Sequence, residues 1–340
     1  MNRRLTSRFT ILLVIVLLLI NCSDDDSVTP PVLLGGEAKV VGYLPYYRFD
    51  LITKIEYCKL THLNLAFANP DADGNLIIDD FSTVIDDARA DNPDIVICIS
   101  IAGGAISPEL KQIWSDLIDI PGNRPDFIAK IVDFVLQNDL DGVDVDLEWD
   151  LVTSGYSGFV LELNTALDAH NKILTAALPA TTRYSNATDA ALAAFDFINI
   201  MAYDATGPWM PEVVGPHSSY QFAKSGINFW KNTVDIPSDK LTLGVPFYGY
   251  DFSTSPVTSF TYGQLVKNDS NLADLDQNGL RYYNGRPTIE AKVEMAAKDV
   301  AGIMIWEIGQ DSFDQYSLLS TIHNKFTELG VKTSKLCGNH

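Results

Sequence analysis

The residues best able to do chemistry stand together in the run Asp141-Gly142-Val143-Asp144-Val145-Asp146-Leu147-Glu148. In a strand, side chains alternate between two faces, so Asp144, Asp146 and Glu148 share one face while Val143, Val145 and Leu147 share the other. The carboxylates then follow one another at intervals of about 6–7 Å. In a partly buried place three such groups cannot all ionise freely, because like charges and loss of water both raise their pKa values. A carboxyl kept protonated near neutral pH can act as a general acid on a leaving oxygen, which is what glycoside cleavage needs. A solvated edge strand is the plainer alternative, but the residues between the acids are all apolar and Gly142 opens the run. A metal-binding barrel would draw its ligands from the ends of several strands rather than from along one.

Something must hold that run with its acidic face inward. Eight short apolar, β-branched runs recur along the chain: 40–47, 62–69, 95–103, 142–149, 173–179, 197–203, 241–247 and 302–308. Segments of helical period lie between them, at 81–91, 125–138, 156–170, 220–233, 288–298 and 316–329. Pro125 after Asn123 and Gly330 after the last segment are start and stop signals. Alternation of this kind argues for parallel βα units. Eight of them predict an α/β protein of the (β/α)8 TIM-barrel type, with Glu148 nearest the C-terminal rim, where barrel active sites lie. The stretch 253–287 breaks the rhythm and is expected to be polar loop. Within it Asp274-Leu275-Asp276-Gln277-Asn278-Gly279 imitates the start of a calcium loop, but Gly285 stands where that loop needs a bidentate Glu, so a turn is expected.

Composition narrows the partners. The chain carries 24 Lys plus Arg against 44 Asp plus Glu, a net charge of -20 that repels phosphate backbones and anionic lipid. Nucleic acid is therefore not an expected partner, and a neutral substrate is easier to accommodate. Arg3, Arg4 and Arg8 precede an apolar run over 9–20, which reads as a signal peptide of residues 1–21. It ends in Leu19-Ile20-Asn21-Cys22, which resembles a bacterial lipobox. A lipid anchor on Cys22 would be the only membrane attachment, leading to an outer-membrane or cell-surface lipoprotein, with secreted or periplasmic export as the alternative. Residues 22–38 are expected to be a flexible linker, 39–330 the catalytic barrel, 331–340 a C-terminal tail, and the protein a monomer. Cys22, Cys58, Cys98 and Cys337 imply no disulfide framework. The five histidines are too scattered for a zinc site, so neither metal nor cofactor is expected.

The acidic run is similar to the signature Asp-x-x-Asp-x-Asp-x-Glu of glycoside hydrolase family 18, matched at Asp141, Asp144, Asp146 and Glu148. Other elements share the resemblance in the family's order across about residues 39–330. Gly42-Tyr43 lies on the first strand. Ser100-Ile101-Ala102-Gly103-Gly104 on the third resembles the family's Ser-x-Gly-Gly, displaced by Ala102. Met201-Ala202-Tyr203-Asp204 lies on the sixth, Gly244-Val245-Pro246-Phe247-Tyr248-Gly249 on the seventh, and Trp306 on the eighth. The resemblance implies that Glu148 protonates the glycosidic oxygen and later activates water. It implies that Asp146 orients the N-acetyl group of the sugar while Asp144 beneath it shares a proton. The acetamido carbonyl would be the nucleophile and configuration would be retained. Tyr203 would donate to the acetamido oxygen, Asp204 would bind the same sugar, Met201 would line the pocket, and Trp306 would stack on the pyranose face. Tyr43 and Ser100 would hold Asp144, or merely pack in the core. Trp149, Trp209 and Tyr248 are candidates for neighbouring subsites.

Two departures stand out. Only about 50 residues separate the seventh and eighth runs, where many processive members carry a larger α+β module, so a compact form with a shallower, more open cleft is expected. Several relatives place Arg after Phe-Tyr-Gly, whereas this chain has Tyr250. The implied substrate is an oligo- or polysaccharide containing N-acetylglucosamine, chitin or chitooligosaccharides first. The alternatives are an endo-β-N-acetylglucosaminidase on N-glycans, a peptidoglycan glucosaminidase, or a non-catalytic glycan-binding lectin. Inactive members usually lose the acid, and Glu148 is present.

Overall fold

The computed structural model describes residues 37–333. The signal peptide, Cys22 and all of the linker up to residue 36 lie outside the described residues, as do positions 334–340 of the tail. Eight strands form a closed parallel barrel: β1 (Lys39–Pro45), β2 (His62–Pro70), β3 (Val96–Ala102), β4 (Gly142–Asp146), β5 (Ile173–Pro179), β6 (Phe197–Met201), β7 (Leu241–Pro246) and β8 (Gly302–Trp306). Closure comes from β1, which pairs in parallel with both β8 and β2. Each expected apolar run is one of these strands, so the (β/α)8 architecture is as the periodicity predicts.

The alternation in β4 divides the barrel. Val143, Val145 and Leu147 are fully buried in the layer shared with the surrounding helices, in one cluster with Phe159 and Leu163 of the helix Tyr156–Asp168. Burial of such side chains contributes about 1.5–3 kcal/mol each. That gain offsets the cost of placing Asp144 and Asp146 on the inner face, where both are buried. Register then decides what Asp144 meets. Ser100 of β3 and Thr175 of β5 are its direct partners across the two neighbouring strands. Gly142 is required by closeness: a Cβ there would lie 2.2 Å from the carbonyl oxygen of Ile173.

The helices expected from 3.6-residue periodicity are present with ends shifted by a few residues, except that the segment 220–233 changes at Asn228 from α-helix to a π-helical turn over Phe229–Thr233. Among the described residues three further α-helices were not expected: Pro108–Ile118, Asp189–Ala194 and Tyr262–Asn268. The first carries a legible start, Ser107 accepting from the Leu110 N–H with Pro108 following. The other two are too short to show a period.

The expectation of polar loop over 253–287 needs correction. With Tyr248–Asp251 it builds a small antiparallel sheet whose other strands are Thr258–Thr261, Gln277–Asn278 and Arg281–Tyr282. Strands of two to four residues carry too little alternation to be read. The calcium-like acids are engaged otherwise: Asp274 pairs with Arg286 at 2.7 Å. Asp276 accepts from the Gly285 N–H at 2.9 Å and the Thr288 hydroxyl at 2.6 Å, at the start of the helix Arg286–Asp299. Among the described residues no cluster of His, Cys, Asp or Glu could hold a metal ion. Cys58 is disulfide-bonded, a bridge that the cysteine spacing did not reveal, while Cys98 is free and buried.

Candidate active site

The site is built upward from Asp144. Its Oδ2 accepts the Tyr43 and Ser100 hydroxyls, each at 2.7 Å, and its Oδ1 accepts the Thr175 hydroxyl at 2.6 Å and the Asn199 amide at 3.4 Å. Asn199 is steadied in turn by the Thr242 hydroxyl at 2.6 Å. Burial holds the Asp144 pKa above the ordinary carboxyl value, and these donors offset part of that rise. Donors on both oxygens suit an ionised carboxylate, which only accepts. Tyr43 and Ser100 are thus placed on Asp144.

Asp146, one level higher, is treated differently. It is 4% exposed, and its Oδ1 is buried without a hydrogen-bond partner. Burial, then the charges of Glu148 and Asp144, push its carboxyl well above the usual range. The unpaired oxygen and the neighbouring charges both favour the protonated form of Asp146. Glu148, just past the end of β4 in extended conformation, is also largely buried, and burial followed by the charge of Asp204 raises its carboxyl to about 7. Gly104 lies against it, since a Cβ at that position would come within 2.5 Å of Glu148 Oε1. We expect Gly104→Ala to fold normally, because only the end of a flexible side chain must move. Turnover should nevertheless fall about tenfold or more through displacement of the acid. Unchanged kcat with an unchanged melting temperature would sink that expectation.

The remaining residues enclose the space above these acids. Tyr203 has its hydroxyl 3.8 Å from Met304 Sδ, and burial with the nearby carboxylates keeps it protonated. Trp306 stacks on Phe67 at 5.5 Å between centroids and meets Tyr43 edge-on at 5.6 Å. Two adjoining cavities of about 810 and 620 Å³ share Glu148, Trp149, Met201, Tyr203, Asp204 and Trp209 in their linings. The larger adds Tyr46, Tyr47, Phe67, Asp146 and Trp306; the smaller adds Thr181, Met210 and Phe222. Trp149 and Trp209 are 62% and 55% exposed, and so offer open ring faces. The acid therefore stands where two halves of one groove meet.

Of the residues singled out in the sequence, Tyr248 departs from its expected place. It is buried, absent from the groove lining, and donates its hydroxyl to Asp204 Oδ1 at 2.5 Å. It positions a groove residue instead of forming a subsite wall. Sequence reasoning missed Tyr46, Tyr47 and Phe67, whose place at the C-terminal ends of β1 and β2 was an available signal. It also missed Arg48, which pairs at 2.9 Å with the buried Glu307 next to Trp306, and His217, whose ring lies 3.3 Å from Asp204 across 13 positions of chain. No spacing rule reaches the last two.

A family model described as Glycosyl hydrolases family 18 matches residues 39–311. The chain is 58% identical to the crystal structure of a GH18 chitinase, ChiB, from the chitin utilization locus of Flavobacterium johnsoniae, with a TM-score of 0.88 over 89% of this chain and 98% of that one. A chitinase from Bacteroides thetaiotaomicron is 28% identical, with a TM-score of 0.75 over 87% and 98% of the two chains. Among curated proteins, a chitinase-like effector of Moniliophthora roreri is 28% identical over 68% of this chain, which spans 63% of that protein's length.

Proposed function

The chain belongs to glycosyl hydrolases family 18, and from that premise, with chitinases among its solved relatives, we propose that it cleaves β-1,4 bonds beside N-acetylglucosamine in chitin or chitooligosaccharides. The observation that carries this reading is the orphan Oδ1 of Asp146, a buried carboxyl oxygen without a partner beside an acid of raised pKa. A buried polar atom left unpaired is costly, and a ligand amide is the group that would satisfy it.

In this reading a pyranose lies on Trp306 with its acetamido group over Asp146. Glu148 gives its proton to the glycosidic oxygen as the bond to the anomeric carbon breaks. The acetamido carbonyl oxygen forms the new bond to that carbon and closes an oxazolinium ring, while Asp146 accepts a hydrogen bond from the amide N–H and passes its own proton to Asp144. Tyr203 donates to the acetamido oxygen. Glu148, now a carboxylate, removes a proton from water, which opens the ring from the face that the leaving group left. Asp144 returns the shared proton to Asp146 as the ring opens.

Two displacements at one carbon retain configuration. Proton NMR of fresh products from chitotetraose should show the β anomer first, and an initial α anomer would overturn the mechanism. The same protein offered a high-mannose glycoprotein or peptidoglycan fragments should release nothing at a comparable rate. Preferred cleavage of either would move the substrate, and binding without any cleavage would make the barrel a lectin.

A further inference from the structure

The parallel ladder of β6 ends at Met201, whose partner is Pro179 on β5. Ala202, Tyr203 and Asp204 therefore stand beyond the sheet, and the chain turns at Asp204 in a left-handed conformation, at φ 63°. Something other than strand pairing must fix them. The Ala202 carbonyl oxygen belongs to the same planar peptide unit as the Tyr203 N–H, so holding that oxygen fixes the direction in which Tyr203 leaves the strand. The Ser218 hydroxyl holds it, donating at 2.6 Å. A second bond, from the Ala205 N–H to the His217 carbonyl oxygen at 2.9 Å, closes the loop between, which carries Trp209 in the groove lining.

Ser218 is held in turn by Lys292 of the helix Arg286–Asp299. Lys292 is fully buried, and its Nζ lies 2.8 Å from Ser218 Oγ, 2.7 Å from the Ser218 carbonyl oxygen and 2.7 Å from Asn284 Oδ1. Three N–H bonds thus meet three acceptors, and Ser218 Oγ accepts from Lys292 while giving its own proton to Ala202. Asn284 closes the node by donating from Nδ2 to the same Ser218 carbonyl oxygen at 2.9 Å. None of the three acceptors is a carboxylate. Burial pulls the ammonium down to about 7, against the opposing charge of Asp276. A cation this costly to bury is tolerated with all three bonds in place, which gives the node a single geometry.

We propose that Lys292 is a positioning residue of the active site: through Ser218 it pins the Ala202–Tyr203 peptide and so sets where the Tyr203 hydroxyl meets the substrate. The inference rests on Tyr203 donating to the acetamido oxygen. Lys292 lines neither half of the groove, so it acts only through these bonds. A donor whose bond strengthens as charge develops serves the transition state more than the bound substrate, so its misplacement lowers kcat more than it alters KM.

The test is Lys292→Met, which keeps the length of the side chain and removes its donors. On chitotetraose kcat should fall about tenfold, with KM within about threefold of the wild type. A role in stability alone would move the melting temperature and leave the folded variant with wild-type kcat, which overturns the proposal. Ser218→Ala cuts the other end of the link and decides should Lys292→Met not fold: a similar loss is expected, and wild-type kcat overturns the proposal there too. In the double variant the two losses should not multiply, because both break one chain of bonds; independent losses contradict it. The carbon-13 resonance of the Ala202 carbonyl, read without substrate, should move upfield in each single variant as the oxygen loses its donor, and an unmoved resonance overturns the link. That reading needs no turnover, so failure of the chitin assignment and failure of this inference are told apart.

Discussion

Replacement of Glu148 by Gln is expected to lower kcat on chitotetraose by about 10²–10⁴-fold while leaving oligosaccharide affinity within a few-fold of the wild type. Gln fills the same volume against Gly104 and can still hydrogen-bond a sugar, but it has no proton to give and cannot become a base. The wild type supplies the companion result. Burial and Asp204 raise the Glu148 carboxyl from 4.5 to about 7, and an acid must be protonated to act, so turnover should fall as pH rises through about 7. Stability follows the same proton. Between the ordinary carboxyl value and about 7 the folded chain holds a proton that the unfolded chain has released, so this group's contribution is present at low pH and is lost as pH rises through that window. Glu148→Gln should remove that slope. Retained turnover in the variant would show that another group is the acid.

Asp146→Asn should give a different pair of effects: a loss of turnover of about 10²-fold or more, together with a higher melting temperature. The side chain is buried with one oxygen unpaired, between Asp144 below and Glu148 above. Its raised pKa means that the folded chain either keeps a proton against the solvent or buries a charge among like charges, and both become more costly as pH rises above the ordinary value of 3.8. Asn never ionises, so the gain in melting temperature should be larger at pH 8 than at pH 4. Catalysis suffers because the carboxyl, unlike the amide, can change its charge as the acetamido group becomes positive. Thermal melts at the two pH values, beside kcat, check both halves. An equal shift at both pH values would mean that Asp146 is not held protonated by its neighbours. Together the two substitutions identify a site that sacrifices stability for chemistry.

How much of this is legible without a structure depends on distance along the chain. The acid run could be read because strand alternation is a rule of adjacent residues, and it places Asp144, Asp146 and Glu148 on one face wherever the strand ends up. The barrel could be read because eight apolar runs with helical segments between them admit few architectures. The small sheet over 248–282 could not, since its strands are too short to alternate. Neither could His217 or Arg48, whose partners, Asp204 and Glu307, share no periodic relation with them.

By itself, then, the sequence determined the order of βα units, the inward ladder of carboxyls and its apolar outer face, because each of these follows from backbone geometry over a few neighbouring residues. Only the tertiary structure decided which carboxyl is supplied with hydrogen-bond donors and which is left without them. Asp144 has donors on both oxygens, an environment suited to the anion, because closure of the barrel brings it hydroxyls from positions 101, 44 and 31 residues away. Asp146 is left without such donors, and Glu148 faces an Asp204 steadied by a sheet from another part of the chain. Hydrogen bonds and low dielectric set those environments, and neither exists until distant segments have packed.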